Sequence, residues 1–244
     1  SLLEGGLEVI QYNCNRRSQD LSLFEYGNVY TQNEDKYIQE SMLGLWITGN
    51  MRTTHWDQKP QQANIFYLKG IINNLAKYSG IKNITSLSES NGEVELVWKW
   101  KNQVLCTAIQ VPAKTLKEFE VKQDVYYAAI HWDTWLKAMA AGKISYKEVP
   151  KFPAVQRDLA IVLDNSVTYK QVEDTTAHLK LDALESFGLF DAFESEKLGA
   201  GKKSYALNYT FQLQDRTLTD GEIEQSMKQL MDAYKNKLSA LIRE

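Results

Sequence analysis

The sequence contains few residues of the types that hold metals or perform nucleophilic catalysis. Its two cysteines, Cys14 and Cys106, are far apart and show no CxxC or Cys/His spacing. We therefore expect a reduced, cytoplasmic protein without zinc. The three histidines, His55, His131 and His178, are also isolated. Because the sequence places no nucleophile beside them, we expect surface or packing roles and assign no catalytic residue and no metal ligand.

Long apolar runs and an excess of positive charge are also missing. No stretch approaches the roughly 20 apolar residues needed to cross a membrane, and no signal peptide is recognisable. The chain has 28 lysines and arginines against 31 aspartates and glutamates, and residues 151–244 have 12 against 15. Proteins with broad affinity for nucleic acids are usually basic. The charge therefore argues against that class and leaves room for a local, loop-specific contact.

Residues 151–244 carry the clearest pattern of secondary structure. Pro153 keeps the chain out of a helix at the start of this region. Apolar residues then alternate with other residues in a strand that ends at Asp164. A helix follows and extends to Lys180, with Thr168 placed to cap its first turn.

The remainder of this region predicts two strands, a second helix and an edge strand. Leu184–Phe193 is rich in apolar and aromatic residues, and Lys203–Leu213 alternates them with polar ones. Two glycines within residues 198–203 allow the chain to reverse between these strands. Thr219–Glu222 has the capping-box form of a helix start, and an apolar helical stripe follows it. Ser239–Arg243 is short enough to be an edge strand.

The resulting order is strand, helix, strand, strand, helix, strand, which is the order of ferredoxin-like domains. Two helices on one face leave the other face of the sheet open, and one common RNA-binding module presents aromatic residues on such a face. We expect this open face to contain Ala160, Val162, Ser186, Gly188, Phe190, Ala192, Ser204, Ala206, Asn208 and Thr210. Phe190 would be its only large aromatic side chain, and a base stacked on it would gain about 1–3 kcal/mol. The alternative is that Phe190 packs against the preceding domain.

Five sequence blocks in this region resemble a known family. They are Phe152–Ala160, Leu189–Asp191, Leu198–Ser204, Arg216–Asp220 and Leu241–Arg243. In this order they are similar to the ferredoxin-fold anticodon-binding domain that closes the β subunit of bacterial phenylalanyl-tRNA synthetases. The resemblance implies that the open face receives the tRNA anticodon.

The resemblance also implies roles for individual residues. Phe190 matches the aromatic residue on which an anticodon base stacks, and Ala160 and Ser204 match its small neighbours. Apart from the resemblance, Lys202 and Lys203, which lie beside the hairpin, would make the edge of the sheet locally positive. These five residues are predicted to contact tRNA.

Three polar positions of the family fall on Arg157, Asp158 and Arg216. Contact with RNA is one role that the sequence leaves open to them. The other role is structural: Arg157 would pair with Asp158 or Asp191, and Arg216 would fix the turn before the last helix.

Residues 1–146 are predicted to form a separate unit, built on a largely antiparallel sheet. Its predicted elements are a helix to about Asn15, strands over Leu21–Tyr30 and Met42–Thr48, a helix over Asn64–Tyr78, a hairpin of Glu93–Trp100 with Val104–Val111, a strand over Asp124–Ile130 and a short helix from Trp132. Gly142–Pro150 would link this unit to the second one.

This first unit resembles the synthetase-like core of the same β subunits. The matching blocks are Leu23–Tyr30, Ile47–Gly49 and Phe66–Gly70. In the family, this core has the class II synthetase fold without its catalytic motifs and packs against the catalytic α subunit. An ATP site of that class needs suitably placed arginines, and the only arginines here are Arg16, Arg17 and Arg52. We therefore predict an α+β chain with no catalytic activity of its own.

The resemblance implies a larger parent enzyme. The sequence begins within an apolar helical pattern, so we expect a piece of a longer chain. Two α and two β chains would together attach phenylalanine to tRNA-Phe with ATP and Mg²⁺, and this fragment would hold neither cofactor. Two other classes stay open. A small-molecule regulatory module would normally have a glycine-bearing loop where Asp164–Thr168 has none, and a structural assembly domain would bury the open face against protein.

Overall fold

The computed structural model describes residues 1–33, 36–51, 56–57, 60–81, 84–90, 94–142, 148–194, 198–199 and 201–243. The chain divides into two compact units, Ser1–Ser145 and Tyr146–Glu244, here called unit 1 and unit 2. Most of the predicted linker, and Arg52 and His55, to which no site was assigned, lie outside the described residues. Within the described part, no helix is both long and apolar enough to cross a membrane.

Unit 1 is built on a six-stranded antiparallel sheet in the order β1-β2-β6-β5-β4-β3. Its elements are α1 (Leu2–Cys14), β1 (Leu21–Asn33), β2 (Lys36–Thr48), α2 (Ile65–Tyr78), β3 (Thr85–Ser90), β4 (Val94–Trp100), β5 (Gln103–Gln110), α3 (Ala113–Glu118), β6 (Val125–His131) and α4 (Trp132–Ala141). The sheet has a hydrophobic core on each face. One core packs against α2 and α4, and the other against α1 and α3.

Helix α1 approaches the sheet closely through Gly6. A methyl group on Gly6 would lie 2.1 Å from the ring of Trp46, and one on Gly44 would lie 2.4 Å from the same ring. Trp46 itself is buried. The indole ring thus lies between two glycines. Because Gly6 has no side chain, α1 can lie close to the sheet.

Unit 2 is a four-stranded antiparallel sheet with two helices. Its elements are β7 (Val155–Asp164), α5 (Tyr169–His178), β8 (Leu184–Glu194), β9 (Lys202–Phe211), α6 (Asp220–Leu238) and β10 (Leu241–Arg243). The strand order is β10-β7-β9-β8, which together with the element order confirms the predicted ferredoxin-like arrangement. Val172 of α5 and Leu230 of α6 belong to one core with alternate residues of β7 and β9. Both helices therefore cover the same face of the sheet.

The predicted starts of both helices in unit 2 are confirmed. Gln171 accepts a hydrogen bond from the backbone N–H of Thr168 at 2.7 Å, and the Thr168 hydroxyl accepts from the Gln171 N–H at 3.4 Å. Glu222 accepts from the backbone N–H of Thr219 at 3.0 Å and forms the predicted capping box. These bonds satisfy donors that a helix start otherwise leaves without partners.

A chain of buried hydroxyl groups crosses the core of unit 2. The Thr176 hydroxyl donates to the carbonyl oxygen of Val172 at 2.9 Å and is also 2.5 Å from the Tyr234 hydroxyl. The Tyr234 hydroxyl is in turn 2.8 Å from that of Tyr209. Since Thr176 uses its proton on Val172, Tyr234 must donate to Thr176, and Tyr209 to Tyr234. Burial raises the pKa of both tyrosines, so the network stays protonated and ties β9 to both helices.

Candidate nucleic-acid interface

The open face of the unit 2 sheet is defined by its strand register, because paired residues on neighbouring strands point to the same side. Three rows of paired residues form its centre. The first two rows cross all four strands from β10 to β8 and are Leu241–Val162–Ser204–Phe193 and Arg243–Ala160–Ala206–Asp191. The third row starts at β7 and is Asp158–Asn208–Gly188. Small residues occupy the middle of the first two rows. Larger side chains stand at their two edges.

Strand β8 contains an irregularity at Phe190. Leu189 pairs with Leu207, and the next pair is Asp191 with Ala206, so Phe190 is an extra residue in the ladder. Such a β-bulge reverses the alternation of all residues beyond it. Ala192 consequently pairs with the core residue Tyr205, so the prediction that Ala192 lies on the open face is wrong.

The bulge brings a second aromatic residue to the open face. Phe193 pairs with Ser204 and is 53% exposed, while Phe190 at the bulge is 62% exposed. Neither ring belongs to the core beneath the helices. The prediction that Phe190 is the only large aromatic of this face is therefore wrong, because strict alternation along β8 would have buried Phe193.

The predicted small neighbours form the floor beside these rings. Ala160 and Ala206 pair with each other and are half-buried. Val162 and Ser204, in the next row, are buried. A methyl group added to Gly188 would meet no atom within 4 Å. The floor thus consists mainly of small side chains, with open space above Gly188.

Arg157 is on the opposite side of the sheet from this floor. It pairs with the core residue Tyr209, and its guanidinium lies 3.7 Å from the Asp220 carboxylate at the start of α6. The predicted pairing with Asp158 or Asp191 is wrong, because those two residues lie on the open face. Consecutive residues of a strand point to opposite faces, so Arg157 and Asp158 cannot share one.

Asp158 lies on the open face, as part of a polar pair. Its carboxylate accepts a hydrogen bond from the side-chain amide of Asn208 at 2.5 Å. The second carboxylate oxygen and the amide carbonyl of Asn208 remain capable of hydrogen bonding. This pair borders the apolar floor on the side of Gly188.

Arg216 organises the start of α6. Its guanidinium donates two hydrogen bonds to the Glu222 carboxylate, at 2.8 and 2.6 Å. These bonds lower the pKa of Glu222 well below its ordinary value, and the bonds from Thr219 lower it further. They also raise the pKa of Arg216. The geometry matches the structural role that the sequence left open, a clamp on the turn before the last helix.

The two lysines beside the hairpin point in different directions. Lys203 pairs with the core residue Leu163, and its ammonium donates to the carbonyl oxygen of Asn165 at 3.0 Å on the helix side. Lys202 pairs with Asp164 and belongs to the open face by alternation. Gly199 and Gly201, with φ of 100° and 75°, supply the predicted turn.

Unit 1 also exposes a group of aromatic residues, here called the aromatic row. Phe24, Tyr26, Tyr30 and Tyr37 lie on one face of the β1–β2 hairpin and are each more than half exposed. Tyr26 contacts Trp132 edge-on, with 5.9 Å between ring centroids. Because β1 is at the edge of its sheet, this surface borders solvent, and exposed apolar patches of this kind are typical of binding surfaces.

Two family models together account for nearly the whole chain. Residues 150–243 match the ferredoxin-fold anticodon binding domain, and residues 1–132 match the phenylalanyl tRNA synthetase beta chain CLM domain. The chain belongs to the phenylalanyl-tRNA synthetase β-chain family. Both parts of the predicted resemblance, the synthetase-like core and the ferredoxin-fold domain, are confirmed.

Curated members of this β-chain family match along the entire chain. The phenylalanine–tRNA ligase β subunit of Bacteroides fragilis is 36% identical over 257 residues, and that of Bacteroides thetaiotaomicron is 35% identical over 257 residues. Each alignment covers 100% of this chain and 31% of the relative. The chain thus spans about a third of the length of these relatives.

Among solved structures, the pyrrolysyl-tRNA synthetase of Desulfitobacterium hafniense is similar to part of this chain. The TM-score is 0.45 at 14% identity, and the alignment covers 58% of this chain and 50% of that one. Within the described residues, no group of three or more histidine, cysteine, aspartate or glutamate side chains could hold a metal ion.

Proposed function

We propose that the open face binds the anticodon loop of tRNA-Phe and that the chain serves as a non-catalytic part of a phenylalanine–tRNA ligase β subunit. One observation carries the proposal: Phe193 is exposed beside a floor of small residues on the face that the helices leave uncovered, and Phe190 is exposed at the neighbouring bulge. Membership of the β-chain family and the match to an anticodon-binding model support it.

The rings would act as a stacking platform. Every base has a π-face, and stacking on an aromatic side chain contributes about 1–3 kcal/mol per base. Ala160 and Ser204 would permit close approach of the base. Asp158, with Asn208, would accept or donate hydrogen bonds at the edges of bases, which is how single-stranded RNA is read.

The contacts of the remaining predicted residues separate one that could contact RNA from three that support the fold. Lys202 would contribute a positive charge at one end of the open face, partly offset by its neighbour Asp164. Arg157, Arg216 and Lys203 would act on the scaffold, because their cationic groups contact Asp220, Glu222 and Asn165 respectively. With 12 basic against 15 acidic residues in 151–244, the contact would be weak and local, and most of the affinity for tRNA would come from other parts of the enzyme.

Unit 1 would pack against the catalytic α subunit through the aromatic row. Aromatic residues are enriched in the buried centres of protein interfaces, and this row continues the core layer beside Leu43 and Leu45 out to the edge of the sheet. The parent enzyme would be a cytoplasmic assembly of two α and two β chains. Its ATP- and Mg²⁺-dependent chemistry would take place in the α subunit.

Titration with RNA tests the anticodon contact. The 244-residue chain would be titrated at low salt with a tRNA-Phe anticodon stem-loop and with the same stem carrying a changed loop. We expect preference for the true loop, and we expect Phe193→Ala or Phe190→Ala to weaken binding of that loop about tenfold or more without changing the melting temperature. Phe24→Ala, which removes a still more exposed ring from unit 1, is the control.

Three outcomes would contradict the anticodon contact. They are equal binding of both loops, no binding, or an equal loss in Phe24→Ala. A variant that melts early instead would favour the assembly-domain alternative.

Association with an α subunit tests the second contact. We expect the chain to co-sediment with the α subunit of the Bacteroides fragilis enzyme and the double variant Phe24→Ser/Tyr30→Ser to lose that association while Phe190→Ala retains it. Unchanged co-sedimentation of the double variant would assign the α contact to another surface.

A further inference from the structure

Arg243 lies on the open face, at the edge opposite the aromatic rings. Strand β10 pairs Leu241 with Val162, Ile242 with Ile161 and Arg243 with Ala160. Ile242 packs against the core beneath the helices. By alternation, Arg243 points to the other side, in the row that continues through Ala160 to β8.

The guanidinium of Arg243 is available for a ligand. Arg243 is exposed, and in the part of the chain that the structure describes it forms no ion pair or side-chain hydrogen bond. The other two arginines of unit 2 are engaged, Arg157 with Asp220 and Arg216 with Glu222. Neither of these arginines points to the open face.

The spacing of the sheet fits one nucleotide. Neighbouring strands are about 4.8 Å apart, so β10 and β8 are separated by about 14 Å across β7 and β9. Phe190 and Phe193 stand on β8, and the small residues Ala160 and Ala206 lie between them and Arg243. A base on the rings would direct its sugar across this floor and its phosphate toward Arg243.

Among the described residues of the open face, Arg243 is the cation without a carboxylate beside it, because Asp191, at the β8 end of the same row, is about 14 Å away across the sheet. The carboxylate of Asp158 is bonded to Asn208, and that of Asp164 accepts hydrogen bonds from the backbone N–H and hydroxyl of Ser166, at 2.9 and 2.6 Å. Lys202 stands beside Asp164, whose charge offsets its own. A guanidinium matches phosphate with two parallel hydrogen bonds.

We propose that Arg243 binds the backbone phosphate of the nucleotide whose base lies on the aromatic rings. The inference rests on the proposed function and adds to it the residue that neutralises the RNA backbone. Because a phosphate contact carries no sequence information, Arg243 would strengthen binding to every loop equally, whereas the Asp158–Asn208 pair, which can hydrogen-bond to base edges, would distinguish between loops.

The dependence of binding on salt tests this division of roles. The full chain, Arg243→Gln and Arg157→Gln would each be titrated with the tRNA-Phe anticodon stem-loop and the changed loop, over a range of salt concentrations. For Arg243→Gln we expect about tenfold weaker binding to both loops and a slope of log K against log salt that is smaller by about 0.7–0.9, the value for one phosphate contact. For Arg157→Gln we expect the parent's affinity and slope.

A charge-conserving variant and the melting temperature complete the test. Arg243→Lys should keep the parent's slope, because a point charge still neutralises the phosphate. If Arg243→Gln keeps the parent's slope while Phe193→Ala weakens binding of the true loop, the inference is wrong and the proposed function stands. If the parent shows no preference for the true loop, both are wrong. A lower melting temperature with an unchanged slope would assign Arg243 to the stability of β10 and also overturn the inference.

Discussion

The two faces of the unit 2 sheet use aromatic residues in opposite ways. On the helix side, Tyr209 and Phe211 are fully buried, and the Tyr209 hydroxyl is hydrogen-bonded to Tyr234. On the open side, Phe193 exposes more than half of its surface, as does Phe190 at the adjacent bulge. One set of rings is therefore fixed by packing and contributes to stability. The other has no such contact and can give its surface to a ligand, which predicts that substitutions on the two sides separate stability from binding.

The largest expected effect comes from removing one aromatic ring from each face of the sheet in turn. Phe211→Ala should lower the free energy of unfolding of unit 2 by about 3–5 kcal/mol, because it empties a fully buried site. Phe193→Ala should change it by about 0.5 kcal/mol or less. Amide hydrogen exchange in β7 and β9 measures both. Equal losses for the two variants would show that Phe193 is covered, and would contradict its assignment to the open face.

A similar contrast of covered and uncovered positions exists on α1 of unit 1. Gly6→Ala should destabilise unit 1 by about 3 kcal/mol, because the added methyl group would overlap the buried Trp46 ring. Gly5→Ala is the matched control, since its methyl group would meet no atom within 4 Å. It should stabilise the helix by about 1 kcal/mol. Urea denaturation followed by tryptophan fluorescence measures both, and the same sign for both variants would contradict the close approach of α1.

The buried hydroxyl chain provides the third test, within the covered face alone. Tyr234→Phe should cost about 2 kcal/mol, because it removes both hydrogen bonds of the central hydroxyl and leaves the buried Tyr209 hydroxyl without its acceptor. Tyr209→Phe should cost about 1 kcal/mol, because it removes only the first donor of the chain. Thermal denaturation measures the difference. A larger loss for Tyr209→Phe would contradict the central position of the Tyr234 hydroxyl in the chain.

The architecture of unit 2 could be predicted from the sequence because its signals are local. Alternation along Lys203–Leu213 and the capping box at Thr219 depend on residues close together in the chain, and both are confirmed. In unit 1 such signals were weaker. Strand β3 has one apolar residue, Leu87, among mostly polar ones, and α3 is only 6 residues long, so neither was predicted. The hairpin turn at Lys101–Asn102, with positive φ at both residues, was predicted one residue too long.

The candidate site was harder to predict, because it depends on pairing between distant strands. The bulge at Phe190 appears only when β8 is aligned with β9, and it decides that Phe193 instead of Ala192 reaches the open face. The partner of Arg157 likewise depends on where α6 begins. The position of Arg243 follows from its register with β7. Sequence patterns located the open face and its small residues, while the register determined which large side chains stand on it.

The smallest expected effect concerns the ion pair between Arg216 and Glu222 at the start of α6. Arg216 and Thr219 lower the pKa of Glu222 below its ordinary value in the folded chain. A carboxyl group whose folded pKa is depressed stabilises the fold above its unfolded pKa, about 4.3 for glutamate. That contribution is lost as the pH falls toward the lower, folded pKa. We therefore expect the melting temperature of the parent chain to fall more steeply below about pH 4.3 than that of Glu222→Gln, which has no proton to gain.

Arg216→Gln separates the two causes of this depression. Since the hydrogen bonds from Arg216 are the largest cause and those from Thr219 remain, this variant should show an acid dependence between those of the parent and Glu222→Gln. Melting curves at pH 3 to 7 would measure all three chains. Parallel curves would mean that the clamp contributes no proton-linked stability. The exposed position of both side chains makes the effect sensitive to salt, so the difference between parent and variant should shrink at high ionic strength, whereas the Phe211→Ala loss should not.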